Sequence, residues 1–245
     1  MRGRTLLKTF FQSAIIAKET MLLKSLFTNL FKKTSPVKLS QHWDNKYADS
    51  DIQKLGWFES ASEPSLSLIK AFSKTPDAYL LDVGSGASLL IDNLIEEGYT
   101  HLIAADISKN GLNVTKNRLG KKAEHVRFIV DDITNSSKLR SLKDIDIWHD
   151  RAVLHFFKCE RDRNAYVELL KSVLKPGGHA IISTFGLNAP KKCSGLSVHR
   201  YDAEGLSQLL GDEFKLIKSV DYLYTTTWGQ TRPFVYTVFK REEKN

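Results

Sequence analysis

The feature that most constrains this chain is a five-residue turn, Asp82-Val83-Gly84-Ser85-Gly86, which closes the short apolar run Tyr79-Leu80-Leu81 and precedes an amphipathic stretch. Two glycines one residue apart let the backbone turn sharply. A strand can then pass directly into a helix whose N-terminus faces whatever the turn approaches. The next apolar run, Leu102-Ile103-Ala104-Ala105, ends in another acid, Asp106. Unbroken apolar runs fit strands buried on both faces. Strands and helices in this order build open parallel sheets, which bind ligands beyond the carboxyl ends of their strands.

The alternation continues. The patterns predict strands over 79–83, 102–106, 126–132, 144–149 and 179–185, with helices over 88–97, 111–119 and 162–174 between them. Gly98 stands where the first of those helices must stop. Lys175-Pro176-Gly177-Gly178 predicts a tight turn into the fifth strand. A helix over 201–210 is capped by Asp202, and two β-rich runs, 214–225 and 233–240, flank Trp228-Gly229-Gln230 as an antiparallel pair. Upstream, helices are predicted over 40–47 and over 65–72, the second introduced by Pro64. The fold expected is α/β: a Rossmann-like, doubly wound, seven-stranded sheet, mostly parallel, with an antiparallel C-terminal strand pair.

The net charge of +8 invites a nucleic-acid reading, so its location matters. The chain has 36 basic and 28 acidic residues; the first 40 hold eight of the basic residues and one acid, leaving 28 and 27 beyond. A near-neutral domain gives no electrostatic reason to expect a nucleic-acid partner. Residues 1–38 are therefore separated as a basic amphipathic extension, and 39–245 as one domain with an N-terminal helical cap. The extension fits a presequence, a helix lying on a membrane surface, or residues upstream of a start at Met21. No run reaches the ~20 apolar residues of a spanning helix. Cys159 and Cys193 lack the pairing of a disulfide framework or zinc site, so no metal is expected and a reducing compartment is. The location expected is cytoplasmic, with the mitochondrial matrix as alternative if the extension is a presequence.

The turn and Asp106 imply a ligand with a ribose, because an acid after the second strand is placed to accept from two ribose hydroxyls. A dinucleotide site wants a glycine three residues after Gly86, where this chain has Leu89. Asp82 is a poor neighbour for a pyrophosphate and a good one for an ammonium. S-adenosylmethionine has a ribose, an ammonium and no phosphate.

With these motifs in order, the chain over roughly 41–240 resembles the class I S-adenosylmethionine-dependent methyltransferases. The resemblance implies that Asp82, Gly84, Ser85 and Gly86 hold the methionine part of the cofactor and that Asp106, with Ile107, holds the ribose. It also implies that Asp132 and Ile133 flank the adenine. The family's third motif glycine falls on Ser88 here. A narrower resemblance, to a mostly bacterial and poorly characterised group, rests on His42-Trp43-Asp44-Asn45-Lys46-Tyr47, on Trp57-Phe58, and on Trp148 to Phe156, which reads Trp-His-Asp-Arg-Ala-Val-Leu-His-Phe. The first two also resemble some protein-lysine methyltransferases.

On the reacting side, the fourth strand delivers Asp150 as a general base or amine-orienting carboxylate, with His155 next. The alternative reading pairs Asp150 with Arg151 to fix the loop. Trp43, Tyr47 and Trp57 are read as a lid over the cofactor, its aromatic faces favouring a sulfonium. Arg151, Phe185, Cys193, Arg200 and Tyr201 are the substrate-side candidates, the last three in a long loop over 186–200 and its exit. The acceptor expected first is a small molecule; the alternative is a protein lysine, for which an open acidic groove near Asp150 would discriminate.

Overall fold

The structure is a computed structural model, and it describes residues 36–48 and 51–243. Expectations for the basic extension up to residue 35 lie outside the described residues. The sheet and the site lie within the compact unit Ser40–Asn245.

The elements are α1 (Pro36–Ala48), α2 (Ser65–Phe72), β1 (Leu80–Val83), α3 (Leu90–Glu96), β2 (Leu102–Asp106), α4 (Lys109–Leu119), β3 (Val126–Val130), β4 (Ile145–Arg151), α5 (Glu160–Val173), β5 (Leu174–Phe185), β6 (Lys192–Cys193), β7 (Leu196–Ser197), α6 (Ala203–Leu210), β8 (Phe214–Thr225) and β9 (Thr231–Arg241). The main sheet among the described residues runs β3-β2-β1-β4-β5-β9-β8. The first five strands are parallel, and β9 and β8 each pair antiparallel to the strand before them. The strand order reverses beside β1, which opens a crevice at the carboxyl ends of β1 and β4.

Side-chain alternation along the strands gives the sheet two buried faces. Leu80, Ala104, Ile147 and Ile181 face one core, with Ile69 of α2, Leu90 of α3 and Leu112 of α4. Leu81, Val83, Trp148 and Ile182 face the other, with Tyr166 of α5 and Leu206 of α6. Local signals start the helices: Ser108 accepts from the Gly111 amide (3.0 Å) and Asp202 from the Gly205 amide (2.8 Å), caps each worth about 1 kcal/mol.

Beyond shifts of a few residues at element ends, three differences from the sequence reading have a visible cause. β3 stops at Val130, because the Asp131 carboxylate turns back to accept from the amides of Asp132, Lys138 and Leu139 and from the Ser136 hydroxyl. The Lys175–Gly178 stretch lies inside β5 as an irregularity: Ile145 opposes Leu174, while Ile147 opposes His179. Gly177, at φ +76°, supplies the left-handed residue that the irregularity needs. The stretch expected to be a loop over 186–200 contains the β6–β7 hairpin.

Candidate functional site

The turn after β1 is held open by its glycines. Gly84 and Gly86 have φ of +68° and +51°, in the left-handed region that L side chains rarely adopt. The Ser85 amide donates to the Ala105 carbonyl (3.0 Å), tying the turn to β2. A Cβ at Gly84 would lie 2.0 Å from a Val153 methyl, and one at Gly86 2.2 Å from the Tyr47 hydroxyl. Tyr47 also lies over Gly111, where a Cβ would meet its ring at 2.8 Å. What puts Tyr47 there is Asp44, three residues earlier on α1. Its carboxylate accepts from the Ser108 hydroxyl (2.6 Å) and the Asn110 amide (3.1 Å), fastening α1 to the start of α4.

Three carboxylates converge on this turn. Asp82 is buried with Oδ1 2.6 Å from His149 Nδ1, while its Oδ2 and the Ser85 hydroxyl are buried without a hydrogen-bond partner. Asp106 is buried too, and accepts from the Ser108 amide at 2.7 Å. Burial pushes the Asp106 carboxyl up to about 7; the Ser108 and Gly86 amides pull it down, and the charges of Asp82 and Asp44 push it further up. A ligand bringing a cation and hydroxyl donors would satisfy these groups. S-adenosylmethionine brings both, so the residues present fit it.

This arrangement has a pH signature. A carboxyl whose pKa is raised on folding stabilises the ligand-free protein below its unfolded value near 3.8, and loses that contribution as pH rises through about 7. Asp106→Asn cannot ionise. Melting temperatures measured between about pH 5 and pH 8 are expected to fall more for the wild type than for Asp106→Asn; parallel curves would contradict the assignment.

Farther along the crevice, Asp132 Oδ1 accepts from the amide and hydroxyl of Thr134, which places the buried Ile133 at the end of β3. Ile107, half-buried, follows Asp106 directly. The expected cofactor-binding residues thus lie together along β1, β2 and β3. The expected lid lies with them: Tyr47, Leu55 and Ala87 form one cluster against which Trp43 and Trp57 pack. Trp43 makes edge contacts with Trp57 (5.6 Å between centroids) and Phe156 (5.2 Å), and Tyr47 with Trp57 (6.0 Å).

The reacting side departs from expectation. Asp150 is fully buried, with Oδ1 accepting from the Val153 amide (2.8 Å) and Oδ2 from the Leu154 amide (3.1 Å). Burial pushes its carboxyl up to about 6, against the pull of the Val153 amide, the Tyr166 hydroxyl and the Leu154 amide. Its oxygens are thus engaged in shaping the turn that carries Val153 against Gly84. The Asp150–Arg151 ion pair considered from sequence is replaced by another. Arg151 Nη2 sits 2.6 Å from Glu59, Nη1 donates to the Trp57 carbonyl (3.0 Å), Nε donates to the Tyr236 hydroxyl (3.2 Å), and the guanidinium lies over Tyr224 and Phe234 (5.3 Å each). Arg151 is a clasp between the segment carrying Trp57 and Glu59 and the C-terminal strands.

His155 is fully buried between Phe156 and Phe185, and its Nδ1 accepts from the Phe185 amide at 3.3 Å. Burial, then the Arg151 charge, push it down to about 3, so it is neutral with its proton on Nε2. The substrate-side candidates are not brought together. Phe185 and Cys193 pack in the core on the α2 side, whereas Tyr201 is buried on the α5 side of the sheet. Burial raises the Cys193 thiol, and Arg200 clamps its own loop by donating to the Leu187 and Ala189 carbonyls. Sequence reasoning missed Glu59, Val153, Gly111 and Ser65; only Asp44 carried a signal, its spacing from Tyr47 on a helix face.

A groove of ≈ 300 Å³ lies between residues 58–63 and the end of the edge strand β8, at the same end of the sheet as the carboxyl ends of β4 and β5. Phe58, Tyr222 and Tyr224 supply its aromatic walls, and Glu59 and Glu63 its carboxylates. Burial raises the Glu59 carboxyl, Arg151 lowers it, and Glu63 raises it again. Two carboxylates thus line the groove, and Arg151 pairs with one of them, Glu59.

Residues 74–229, more than half of the chain, match a family model described as a methyltransferase domain. EEF1A lysine methyltransferase 2 of Danio rerio is 27% identical over 166 residues, covering 61% of this chain and 70% of that protein. Malonyl-(acyl-carrier protein) O-methyltransferase 2 of Ilyobacter polytropus is 29% identical over 108 residues, 44% of this chain and 39% of that one. Among solved structures, a SAM-dependent methyltransferase of Anabaena variabilis superimposes with a TM-score of 0.67 at 15% identity, covering 83% of this chain and 93% of that chain. The N-methyltransferase NodS of Bradyrhizobium japonicum, solved with S-adenosylhomocysteine, gives 0.60 at 17% identity, covering 83% and 98%. With this family match and this strand order, the chain belongs to the methyltransferase-domain family and is an S-adenosylmethionine-dependent methyltransferase of the class I fold.

Proposed function

We propose that the chain methylates the side-chain amine of a lysine in a protein, with the cofactor held by Asp82, Gly84, Ser85, Gly86, Asp106, Ile107, Asp132 and Ile133 under a lid of Trp43, Tyr47 and Trp57. When bound, S-adenosylmethionine supplies a methyl group activated by its sulfonium. Asp82 Oδ2 and Ser85 take the polar end of the cofactor, and Asp106 takes its ribose. The lid aromatics exclude water and favour the positive charge.

The observation that carries the acceptor reading is the groove. Its Glu59 and Glu63 carboxylates complement an ammonium, and its three aromatic walls suit a four-carbon stem. The relative bearing a lysine methyltransferase name matches most of its own length, whereas the O-methyltransferase matches less than half of either chain. A small-molecule acceptor, the first expectation from sequence, is the competing outcome of the test. Asp150 is engaged by the Val153 and Leu154 amides and His155 is fully buried and neutral, so the acceptor amine sheds its proton to solvent through the open groove.

Incubating the protein with methyl-labelled cofactor and fractionated extracts is expected to place label on lysine in protein bands; label confined to small molecules would overturn the reading. Glu63→Gln is expected to lower kcat/KM on the protein acceptor about tenfold while leaving cofactor affinity unchanged, since it removes one half-buried groove charge and keeps an oxygen for the Ser67 amide at the start of α2. Unaltered kcat/KM would remove the groove from the acceptor path.

A further inference from the structure

A second polar constellation lies beneath the turn, and its chemistry is not that of the acceptor. Asp82 and His149 are register partners in adjacent strands β1 and β4, and their side chains share the sheet face covered by α2. His149 Nδ1 is 2.6 Å from Asp82 Oδ1, and His149 Nε2 is 2.9 Å from the hydroxyl of Ser65, the first residue of α2. Ser65, Asp82 and His149 are 1%, 2% and 2% exposed. Asp82 Oδ2 alone in this chain of contacts is buried without a partner.

The distances define a continuous chain of contacts. Nδ1 meets the carboxylate at 2.6 Å and Nε2 meets the Ser65 hydroxyl at 2.9 Å, so both ring nitrogens have a partner and the imidazole bridges α2 to Asp82. Asp82 thus has one oxygen fixed and the other unpaired beside the glycine turn. The order is that of a serine hydrolase triad, yet burial of Ser65 keeps its hydroxyl from any substrate. What remains is orientation.

We propose that Ser65 and His149 are positioning residues that hold the Asp82 carboxylate with Oδ2 turned to the ammonium of the cofactor, so that affinity for the amino-acid end depends on a hydrogen-bond relay running back into α2. The inference rests on the S-adenosylmethionine reading of the turn. Its structural consequence is that α2 and the cofactor's amino-acid end are coupled through one imidazole.

The test uses the full chain and calorimetric titration with two ligands that share the adenosine: S-adenosylhomocysteine, which carries the amino-acid end, and 5′-methylthioadenosine, which lacks it. His149→Leu is expected to weaken S-adenosylhomocysteine at least tenfold and methylthioadenosine less than twofold. Ser65→Ala, the milder change, is expected to show the same selectivity at about threefold. His149→Asn, which places an amide N–H near the position of Nδ1, is expected to restore most of the loss. Equal weakening of both ligands, or none of either, would overturn the relay. Wild-type protein that binds methylthioadenosine but not S-adenosylhomocysteine would overturn it as well, while wild-type protein that binds neither would overturn the cofactor reading on which it rests.

Discussion

Gly86→Ala is expected to abolish cofactor binding. The position sits at φ +51°, and the added Cβ would meet the Tyr47 hydroxyl at 2.2 Å. Backbone strain of about 1–3 kcal/mol and overpacking of about 1–3 kcal/mol both bear on the same turn. The strain can be relieved only by moving the turn or by expelling Tyr47. Tyr47 is not free to leave cheaply, because Asp44 on the same helix is fastened to Ser108 and Asn110. Either movement disturbs the cofactor cradle, so equilibrium dialysis of labelled S-adenosylmethionine is expected to show at least a hundredfold loss of affinity. The double variant Gly86→Ala with Tyr47→Phe removes the hydroxyl but leaves the φ penalty, and is expected to recover only part. Full recovery would place the whole effect on the hydroxyl contact, and wild-type affinity in the single variant would contradict the turn geometry.

The largest loss of stability is expected from Arg151→Met. Removing one partner of a buried ion pair leaves the other charge uncompensated, at a cost of about 3–5 kcal/mol. Here the stranded group is Glu59, whose carboxyl burial already raises. The same substitution removes the donors to the Trp57 carbonyl and the Tyr236 hydroxyl and uncovers Tyr224 and Phe234. Adding Glu59→Gln to Arg151→Met removes the stranded charge, so the double variant is expected to regain about half of the loss in a denaturant-unfolding cycle. Additive losses would mean that Arg151 and Glu59 are not coupled.

The sheet was legible because strands buried on both faces must be unbroken apolar runs, and because Gly84 and Gly86 mark where a strand becomes a turn. Asp82 and Asp106 were legible for the same reason, as polar residues at the ends of such runs. Lys175–Gly178 was not, because its place in β5 depends on pairing with β4 and no local residue records a partner strand. The β6–β7 hairpin has strands too short to show a period. Tyr201 and Cys193 are eight residues apart, but they lie in opposite cores on the two sides of the sheet. The role of Arg151 was illegible for a related reason: its partner Glu59 lies on a segment far away in sequence, so the nearer Asp150 was the natural guess. Asp150 in turn is engaged by the amides of Val153 and Leu154, a backbone geometry with no side-chain signature.

The central claim is that the turn from Asp82 to Gly86 and the carboxylate of Asp106 together bind S-adenosylmethionine. Calorimetric titration of the full chain with S-adenosylmethionine, and separately with NAD, tests it most directly. Saturable one-to-one binding of S-adenosylmethionine is predicted, weakened about a hundredfold by Asp106→Ala and accompanied by no heat from NAD. Binding of NAD, or S-adenosylmethionine affinity untouched by Asp106→Ala, would contradict it.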